Sequence, residues 1–305
     1  MSFGKYMYYV LNCDGLIRHV SLLGTYNTQI NVGMRALEKA IIPMPSVFEQ
    51  QKIAYYLDKV CGEVDEMVAL QETMIEELKA YKQSVITEAV TKGLNPNAPM
   101  RNSGIDWIGD VPEEWKTIRI KYLLKERKEK SETGDEEPLS MSQKYGIIPT
   151  KNMDMIPNMA SSFIGAKVVY ISDLVFNKLK AHLGVFSVSK YNGLVSPDYA
   201  VYYSTGRADL KFLEYLFKTP QCIGEFRKRS TGVGAGLMRL YTDDLYSIHI
   251  PFPPLDEQQS IASYLDTKCT EIDALIAIKQ TKIDELKEYK KSVIYEYVTG
   301  KKEVI

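Results

Sequence analysis

The sequence predicts an α+β fold: one globular domain with a β-sheet core, flanked by two long helices. Three observations carry it. Residues Glu49–Thr91 recur as Glu257–Thr299 at a constant offset of 208 with no gap, and 25 of the 43 paired positions are identical. Each copy follows an Ile-Pro-x-Pro stop, Ile42-Pro43-Met44-Pro45 and Ile250-Pro251-Phe252-Pro253. Between the copies the texture changes to short β-branched and aromatic runs separated by Gly, Asn, Ser and Pro, the pattern of strands in a compact sheet. A period of this length exceeds the roughly 20 to 50 residues of a solenoid repeat. It describes two similar struts around one module, a nearly two-fold layout suited to a ligand that is itself two-fold symmetric.

The elements follow in chain order. The first strut, within residues 46–94, sets Ile53, Leu57, Val60, Val64, Met67, Gln71, Met74, Leu78, Tyr81 and Val85 at alternating spacings of four and three, the period of a coiled-coil seam. Gln71 is a polar intruder of the kind that fixes register. Gly62, which is Thr270 in the second copy, is the expected place for a local break. Residues 95–103 form a linker, in a stretch punctuated by Asn95, Pro96, Asn97 and Pro99. The module at 104–253 follows, with strands expected at 167–171, 174–176, 184–188 and 199–203, a helix at Leu210–Phe217 and a closing strand at Tyr246–Ile250. The second strut, within 254–305, carries Ile261, Leu265, Cys269, Ile272, Ile276, Ile283 and Leu286 on a stripe nearer a period of 3.6, interrupted by Lys268, Lys279 and Lys282. A strut of this kind would be about 65 Å long at 1.5 Å per residue. Residues 1–45 echo the end of the module: Lys5–Val10 align with Lys211–Leu216, and Gly24-Thr25 fall near Thr231-Gly232. They are expected to be the tail of a second such module.

Net charge is −1, so bulk charge points to neither nucleic acid nor membrane. The struts are acidic, with 5 basic and 9 acidic residues over 46–94 and 8 and 10 over 254–305, whereas 104–250 carries 20 and 18. Any anion-binding face is therefore a local cluster in the middle module. Cys13, Cys61, Cys222 and Cys269 lack metal-ligand spacing and are expected as buried thiols in a reducing cytosol. No basic n-region and apolar run marks secretion, and no stretch is apolar enough to span a membrane, so a cytoplasmic location is expected.

No catalytic constellation emerges. Gly232-Val233-Gly234-Ala235-Gly236 lacks the Lys-Ser/Thr of a phosphate cradle and is expected as a flexible loop. His19, His182 and His249 are far apart and without ligand spacing. No Asn/Asp-Pro-Pro-aromatic motif for methyl transfer is present. The chemistry that remains is binding. Asn177, Lys178 and Lys180 stand at a strand-to-loop edge, Arg227, Lys228, Arg229, Ser230 and Thr231 precede the glycine loop, and Arg239 follows it. Such groups position a module on phosphates while amides and guanidinium groups reach base edges. The run Lys116, Arg119, Lys121, Lys125, Arg127, Lys128 and Lys130, diluted by Glu126 and Glu129, is expected as an exposed amphipathic edge.

Val111-Pro112-x-x-Trp115, the Leu174–Lys180 run, Gly193-Leu194-Val195-Ser196-Pro197-Asp198-Tyr199, and Ile-Pro-x-Pro followed by Glu-Gln-Gln-x-Ile-Ala-x-Tyr-Leu-Asp together resemble the specificity subunit of type I restriction-modification systems. The resemblance covers almost the whole chain. It implies two target-recognition domains on two long helices in an antiparallel coiled coil, each domain reading one half of a split DNA site. The helices would set the unread spacer and dock methyltransferase subunits. Such a subunit is non-catalytic and binds no cofactor itself; S-adenosylmethionine, and ATP with Mg2+ for restriction, are expected on partner subunits. By the same resemblance Asn177, Lys178, Lys180, Arg227, Lys228, Arg229, Ser230, Thr231 and Arg239, with Ser142, Gln143 and Lys144 as weaker candidates, touch double-stranded DNA, and Pro112, Trp115, Gly193, Pro197 and Asp198 are framework. The sequence departs from the family in having one complete recognition domain. Two copies, or this chain with another fragment, would rebuild a two-domain reader, and a homodimer would favour an inverted repeat. An inactive or recombining cassette, and a coiled-coil scaffold with a non-DNA binding head, are the alternatives.

Overall fold

The computed structural model describes all residues except 1, 23–24, 27–29, 32, 35–37, 144, 156–161, 233–237 and 305. The chain opens with α1 (Ser2–Leu11), α2 (Asp14–Leu22) and a short ladder of β1 (Thr25–Tyr26) with β2 (Ile30–Asn31), then enters the long helix α3 (Val47–Lys92). The middle contains β3 (Met100–Asn102), β4 (Asp110–Pro112), β5 (Lys116–Arg119), β6 (Leu124–Glu126), β7 (Leu139–Ser142), β8 (Gly146–Pro149), β9 (Lys167–Val169), β10 (Leu174–Asn177), β11 (Phe186–Val188), β12 (Gly193–Val195) and β13 (Tyr199–Ser204). It continues through α4 (Leu210–Phe217), α5 (Pro220–Arg229), α6 (Thr242–Ser247) and β14 (His249–Phe252) to the second long helix, α7 (Leu255–Val298). Two compact units result: Met1–Ala80 with Glu271–Ile305, and Tyr81–Thr270.

In the first unit α3 and α7 run antiparallel, since the tilted rings of Tyr56 and Tyr297 pack with centroids 4.5 Å apart, Asp65 meets Lys290 at 2.6 Å and Glu72 meets Lys287 at 4.0 Å. The exposed ion pairs contribute at most about 1 kcal/mol each, so apolar burial holds the helices. Tyr6, Tyr9, Val10 and Cys13 pack with Ala54, Leu57 and Cys61 of α3 and Val293, Ile294 and Val298 of α7. A capping box starts α3: the Ser46 hydroxyl donates to Glu49 Oε2 at 2.6 Å and accepts from the Glu49 N–H at 3.3 Å. Contrary to the expected break, α3 is continuous through Gly62, because a helical glycine costs only about 1 kcal/mol and the burial of Leu57, Cys61 and Val64 on either side outweighs that. Along the middle of the expected seam Met67 is exposed, Gln71, Met74 and Leu78 are half-buried, and Ile75 is buried in their place.

The likeness between residues 1–22 and the end of the module has a physical basis. Tyr9 Oη donates to Asp58 Oδ1 at 2.9 Å and Lys5 pairs with the same carboxylate. In the second unit Tyr215 Oη donates to Asp266 Oδ1 at 2.5 Å, and Lys211 lies 3.7 Å from it.

The second unit is built on an antiparallel sheet of order β11-β10-β13-β6. Both faces are covered. Leu174, Phe176, Ala200 and Tyr202 point into the main core with the aromatic cluster Phe186, Phe217 and Phe226, while Val175 and Val201 point into a smaller core under the β7–β8 hairpin. That is why these strands are apolar at successive positions. Asp209 caps α4 by accepting from the Phe212 N–H at 2.8 Å, and Thr219 with Pro220 starts α5. All four cysteines are buried, and burial raises the thiol pKa of Cys61 and Cys222. The closing strand begins later than expected: Tyr246 and Ser247 end α6, and the strand is His249–Phe252, paired with β5. The Thr242-Asp243-Asp244 opening, with acids at a helix N-terminus, favours that extra turn.

Candidate nucleic-acid interface

Positions distant in sequence are brought together beyond the edge of the sheet. Strand β10 ends at Asn177, whose Oδ1 accepts from the Leu179 N–H at 3.1 Å and closes the turn that carries Lys178 and Lys180. A 3-10 turn, Ala181–Leu183, follows and ends on Gly184 at φ +76°. The Lys178 carbonyl accepts from the Leu240 N–H at 3.0 Å, and Arg239 exchanges both main-chain bonds with Thr231 at 2.8 and 3.0 Å. Gln143 Nε2 donates to the Leu183 carbonyl at 2.6 Å, tying the tip of the β7–β8 hairpin to the same turn. Ser142 stabilises that tip by accepting from the Tyr145 N–H at 3.0 Å. Lys178, Thr231 and Arg239 are thus neighbours through main-chain bonds, and the Gln143 side chain joins the turn at Leu183. Lys144 and residues 233–237 of the glycine loop lie outside the described residues.

The basic triplet is not on a loop. Arg227, Lys228 and Arg229 form the last turn of α5, where cations are favoured by the helix dipole. Buried Glu225 holds two of them, Lys228 at 2.9 Å and Arg229 at 3.4 Å, and Arg229 also reaches Ser247 at 3.3 Å. Ser230 caps the helix, its hydroxyl donating to the Phe226 carbonyl at 2.7 Å. Arg227 alone of the three is exposed with no ion pair among the described residues. It faces His182, whose imidazole is buried; that burial, and then the Arg227 charge, lower its pKa. His182 is a neutral support beneath the loop.

Electrostatics single out Lys178. Its ammonium is half-buried; burial first, and then the Lys167 ammonium, lower its pKa. Among the described residues no carboxylate forms an ion pair with it, since Glu126 holds Lys167 at 3.2 Å and Asp198 holds Arg239 at 3.0 Å. An anion arriving there would restore the charge balance. Lys178 lines a cleft of about 600 Å³ with Lys121, Lys125 and Lys128, between Tyr203, Tyr241 and Tyr246, and Glu126 and Asp243 line it too. The three other lysines come from the run expected as an exposed edge. Their spacing of four and three was the available signal, but only the pairing of β6 with β13 puts them beside Lys178. Asp198, read as framework, orients Arg239.

Among the described residues no cluster of three or more His, Cys, Asp or Glu side chains is placed to hold a metal ion, and no helix is long and apolar enough to cross a membrane. The sequence profile of the type I restriction modification DNA specificity domain matches residues 112–288, more than half of the chain. The chain belongs to this specificity family. The type I specificity subunits MjaX and MjaVIII of Methanocaldococcus jannaschii are 26% and 25% identical over 90% and 89% of this chain. The chain spans about three fifths of their length, 62% and 64%. Among solved structures, the HsdS subunit of Thermoanaerobacter tengcongensis matches with a TM-score of 0.56 at 18% identity, covering 97% of this chain and 70% of that one. A chain from a structure of type I restriction-modification complex assembly matches with a TM-score of 0.72 at 16% identity, covering 96% and 70%. Those likenesses concern the fold.

Proposed function

We propose that this chain is the non-catalytic DNA-specificity subunit of a type I restriction-modification complex and that its module at 104–253 reads one half of a bipartite site. The observation that carries the reading is half-buried Lys178, without an ion pair among the described residues, in a cleft where four lysines and three tyrosines outnumber Glu126 and Asp243, beside Arg239, Arg227 and Gln143, within a specificity-family domain. Lysines at that cleft neutralise phosphates and fix register, while Gln143, Asn177 and the arginines reach base edges. The long helices dock methyltransferase subunits, a role supported by exposed Met67, Leu70, Leu275 and Ile278 in the first unit. S-adenosylmethionine, and ATP with Mg2+, belong on those cytoplasmic partners. Residues 1–45 belong to a further recognition module like that at 104–253, and the chain pairs with a second copy of itself or with another specificity fragment.

The test is duplex binding as a function of salt, with a library that randomises one half-site. Sequence-preferring binding with a steep salt slope supports the reading, and Lys178→Ala is expected to reduce that slope by about 0.9. Binding that ignores both sequence and salt contradicts it. Sedimentation with methyltransferase subunits separates the homodimer from pairing with another fragment: a chain that stays single in that complex excludes the homodimer.

A further inference from the structure

The end of β10 brings two residues together that are distant in sequence. Asn177 pairs with Tyr199 at the start of β13, and the Lys178 carbonyl accepts from the Leu240 N–H at 3.0 Å. The residues just before Tyr199 and Leu240 are Asp198 and Arg239, and Arg239 Nη2 donates to Asp198 Oδ1 at 3.0 Å. Both backbones are held. The Tyr199 N–H donates to the Ser196 carbonyl at 2.9 Å, closing a turn with Pro197 in second place and Asp198 in third, while Arg239 exchanges its main-chain bonds with Thr231. The guanidinium also lies over the Tyr241 ring, 6.0 Å from its centroid.

The pair keeps most of its hydrogen-bonding capacity. A guanidinium has five N–H groups, and among the described residues Arg239 uses one of them, on Asp198, whose Oδ2 has no partner there. Other arginines of the module contrast with it. Arg127 closes its fork on Asp173 at 2.7 and 2.9 Å between the rings of Tyr170 and Tyr203, and Arg229 spends both Nη groups on Ser247 and Glu225. Arg227 has no carboxylate among the described residues to aim it.

Charge separates the pair from Lys178. An uncompensated cation attracts phosphate, whereas a cation already balanced by a carboxylate offers phosphate no net attraction. Directed donors still serve a base edge, which carries no net charge. In the major groove a G·C pair presents two acceptors, guanine N7 and O6, beside the amino donor of cytosine. Arg239 and Asp198 offer the complement, a two-donor edge beside a free carboxylate oxygen. An A·T pair sets its donor between two acceptors and matches that order poorly.

We propose that Arg239 reads a guanine of the half-site and that Asp198, expected as framework, is the specificity-determining residue that positions it. Asp198 cancels the attraction of Arg239 for phosphate, and its Oδ2 accepts from the cytosine of the same base pair. The proposal rests on the reading of the module as a DNA reader and divides that surface: Lys178 takes phosphate, and Asp198 with Arg239 takes one G·C pair.

The experiment selects duplexes with one randomised half-site on the full chain, as wild type and as Arg239→Ala, Asp198→Ala and Asp198→Asn, and measures the salt dependence of binding to the selected duplex and to an unrelated one. The wild type is expected to select a guanine that Arg239→Ala no longer selects. Placing 7-deazaguanine there, which lacks the N7 acceptor, should weaken wild-type binding about tenfold and leave Arg239→Ala unaffected. Asp198→Ala releases the arginine to phosphate: the preference for guanine falls about tenfold, the unrelated duplex binds more tightly, and the salt slope steepens by about 0.9. Asp198→Asn keeps an acceptor without the charge, so it steepens the slope equally and recovers part of the preference. A guanine preference that survives Arg239→Ala overturns the proposal, as does a wild-type half-site without a G·C pair. Asp198 variants that weaken every duplex alike without steepening the slope give the carboxylate a merely structural role and overturn it too. A half-site that depends on Lys178 but ignores Arg239 refutes the guanine assignment alone; wild-type binding indifferent to sequence and salt refutes the DNA reading itself.

Discussion

Replacing Trp115 tests the clamp that fixes the recognition module to the long helices. The indole is 1% exposed, and its N–H is a direct hydrogen-bond partner of the half-buried Glu257 carboxylate. Burial raises the Glu257 pKa, and the Trp115 hydrogen bond offsets part of that rise. Trp115→Phe removes the donor, which costs about 1–3 kcal/mol for a partly desolvated acceptor left unsatisfied. The lost ring volume adds about 1 kcal/mol. The sum is about 2–4 kcal/mol, or roughly 1 M in urea midpoint for an m-value of about 2–3 kcal/mol/M. Trp115→Ala costs more, about 3–5 kcal/mol from packing before the hydrogen bond is counted.

The assay is urea unfolding followed by thiol labelling, because each unit contains its own buried reporters: Cys13 and Cys61 in the first, Cys222 and Cys269 in the second. Trp115→Phe is expected to shift the Cys222 and Cys269 midpoints and to leave the other two in place. The pH dependence has a definite sign. A carboxyl with a raised native pKa favours the folded state as pH falls through that value, because the folded protein takes up a proton that the unfolded chain does not. Without its donor Glu257 is raised further, so the Trp115→Phe penalty shrinks on acidification. A shift below about 0.5 kcal/mol at Cys222, within the range of an ordinary surface substitution, refutes the clamp. An equal shift in a Glu257→Ala background, which removes the acceptor, shows that the hydrogen bond contributes nothing.

Three further outcomes are expected. Gly62→Ala, at a helical position where an added Cβ meets nothing within 4 Å, should stabilise the first unit by about 1 kcal/mol, read as a later Cys61 labelling midpoint. Gly193→Ala puts a Cβ 2.2 Å from the Glu137 carbonyl and should destabilise the second unit by about 2–3 kcal/mol in the same assay. Buried Glu214 accepts from Ser187 Oγ at 3.0 Å and pairs with Lys218 and Lys211 at 2.5 and 3.2 Å. Burial raises its pKa, but the two lysines outweigh burial and leave it below the usual value. Glu214→Ala should cost about 2 kcal/mol at neutral pH, discounted for the part-exposed lysines. The wild-type advantage is full above the unfolded pKa of about 4.3 and fades as pH falls through the depressed native value, so unfolding measured at pH 7 and pH 3 checks both sign and size.

What the sequence made legible followed from periodicity and repetition. The duplicated helices and the helix Leu210–Phe217 could be read directly, because patterns of 3.5 and 3.6 are local. The weak Lys5–Val10 echo was also real physics, two Tyr–Lys pairs on equivalent aspartates. Boundaries set by tertiary pairing were not legible. Where β14 begins depends on its register with β5, some 130 residues away, and α6 takes Tyr246 and Ser247 first. The site was half legible. Asn177, Lys178 and Arg239 stand out by type, whereas the placement of Arg227–Arg229 on a helix follows from the Thr219-Pro220 start. Lys121, Lys125 and Lys128 are exposed as expected, but no local pattern reveals that β6 pairs with β13 and brings them beside Lys178.

The most direct test of the specificity reading is to map methylated DNA in cells that express this chain with its methyltransferase subunits. A bipartite motif that requires the chain, and that changes in its presence–absence pattern with substitutions at Lys178, Arg227 and Arg239, is the expected result; an inverted-repeat motif would add that two copies act together. Methylation that is identical with and without the chain would contradict it.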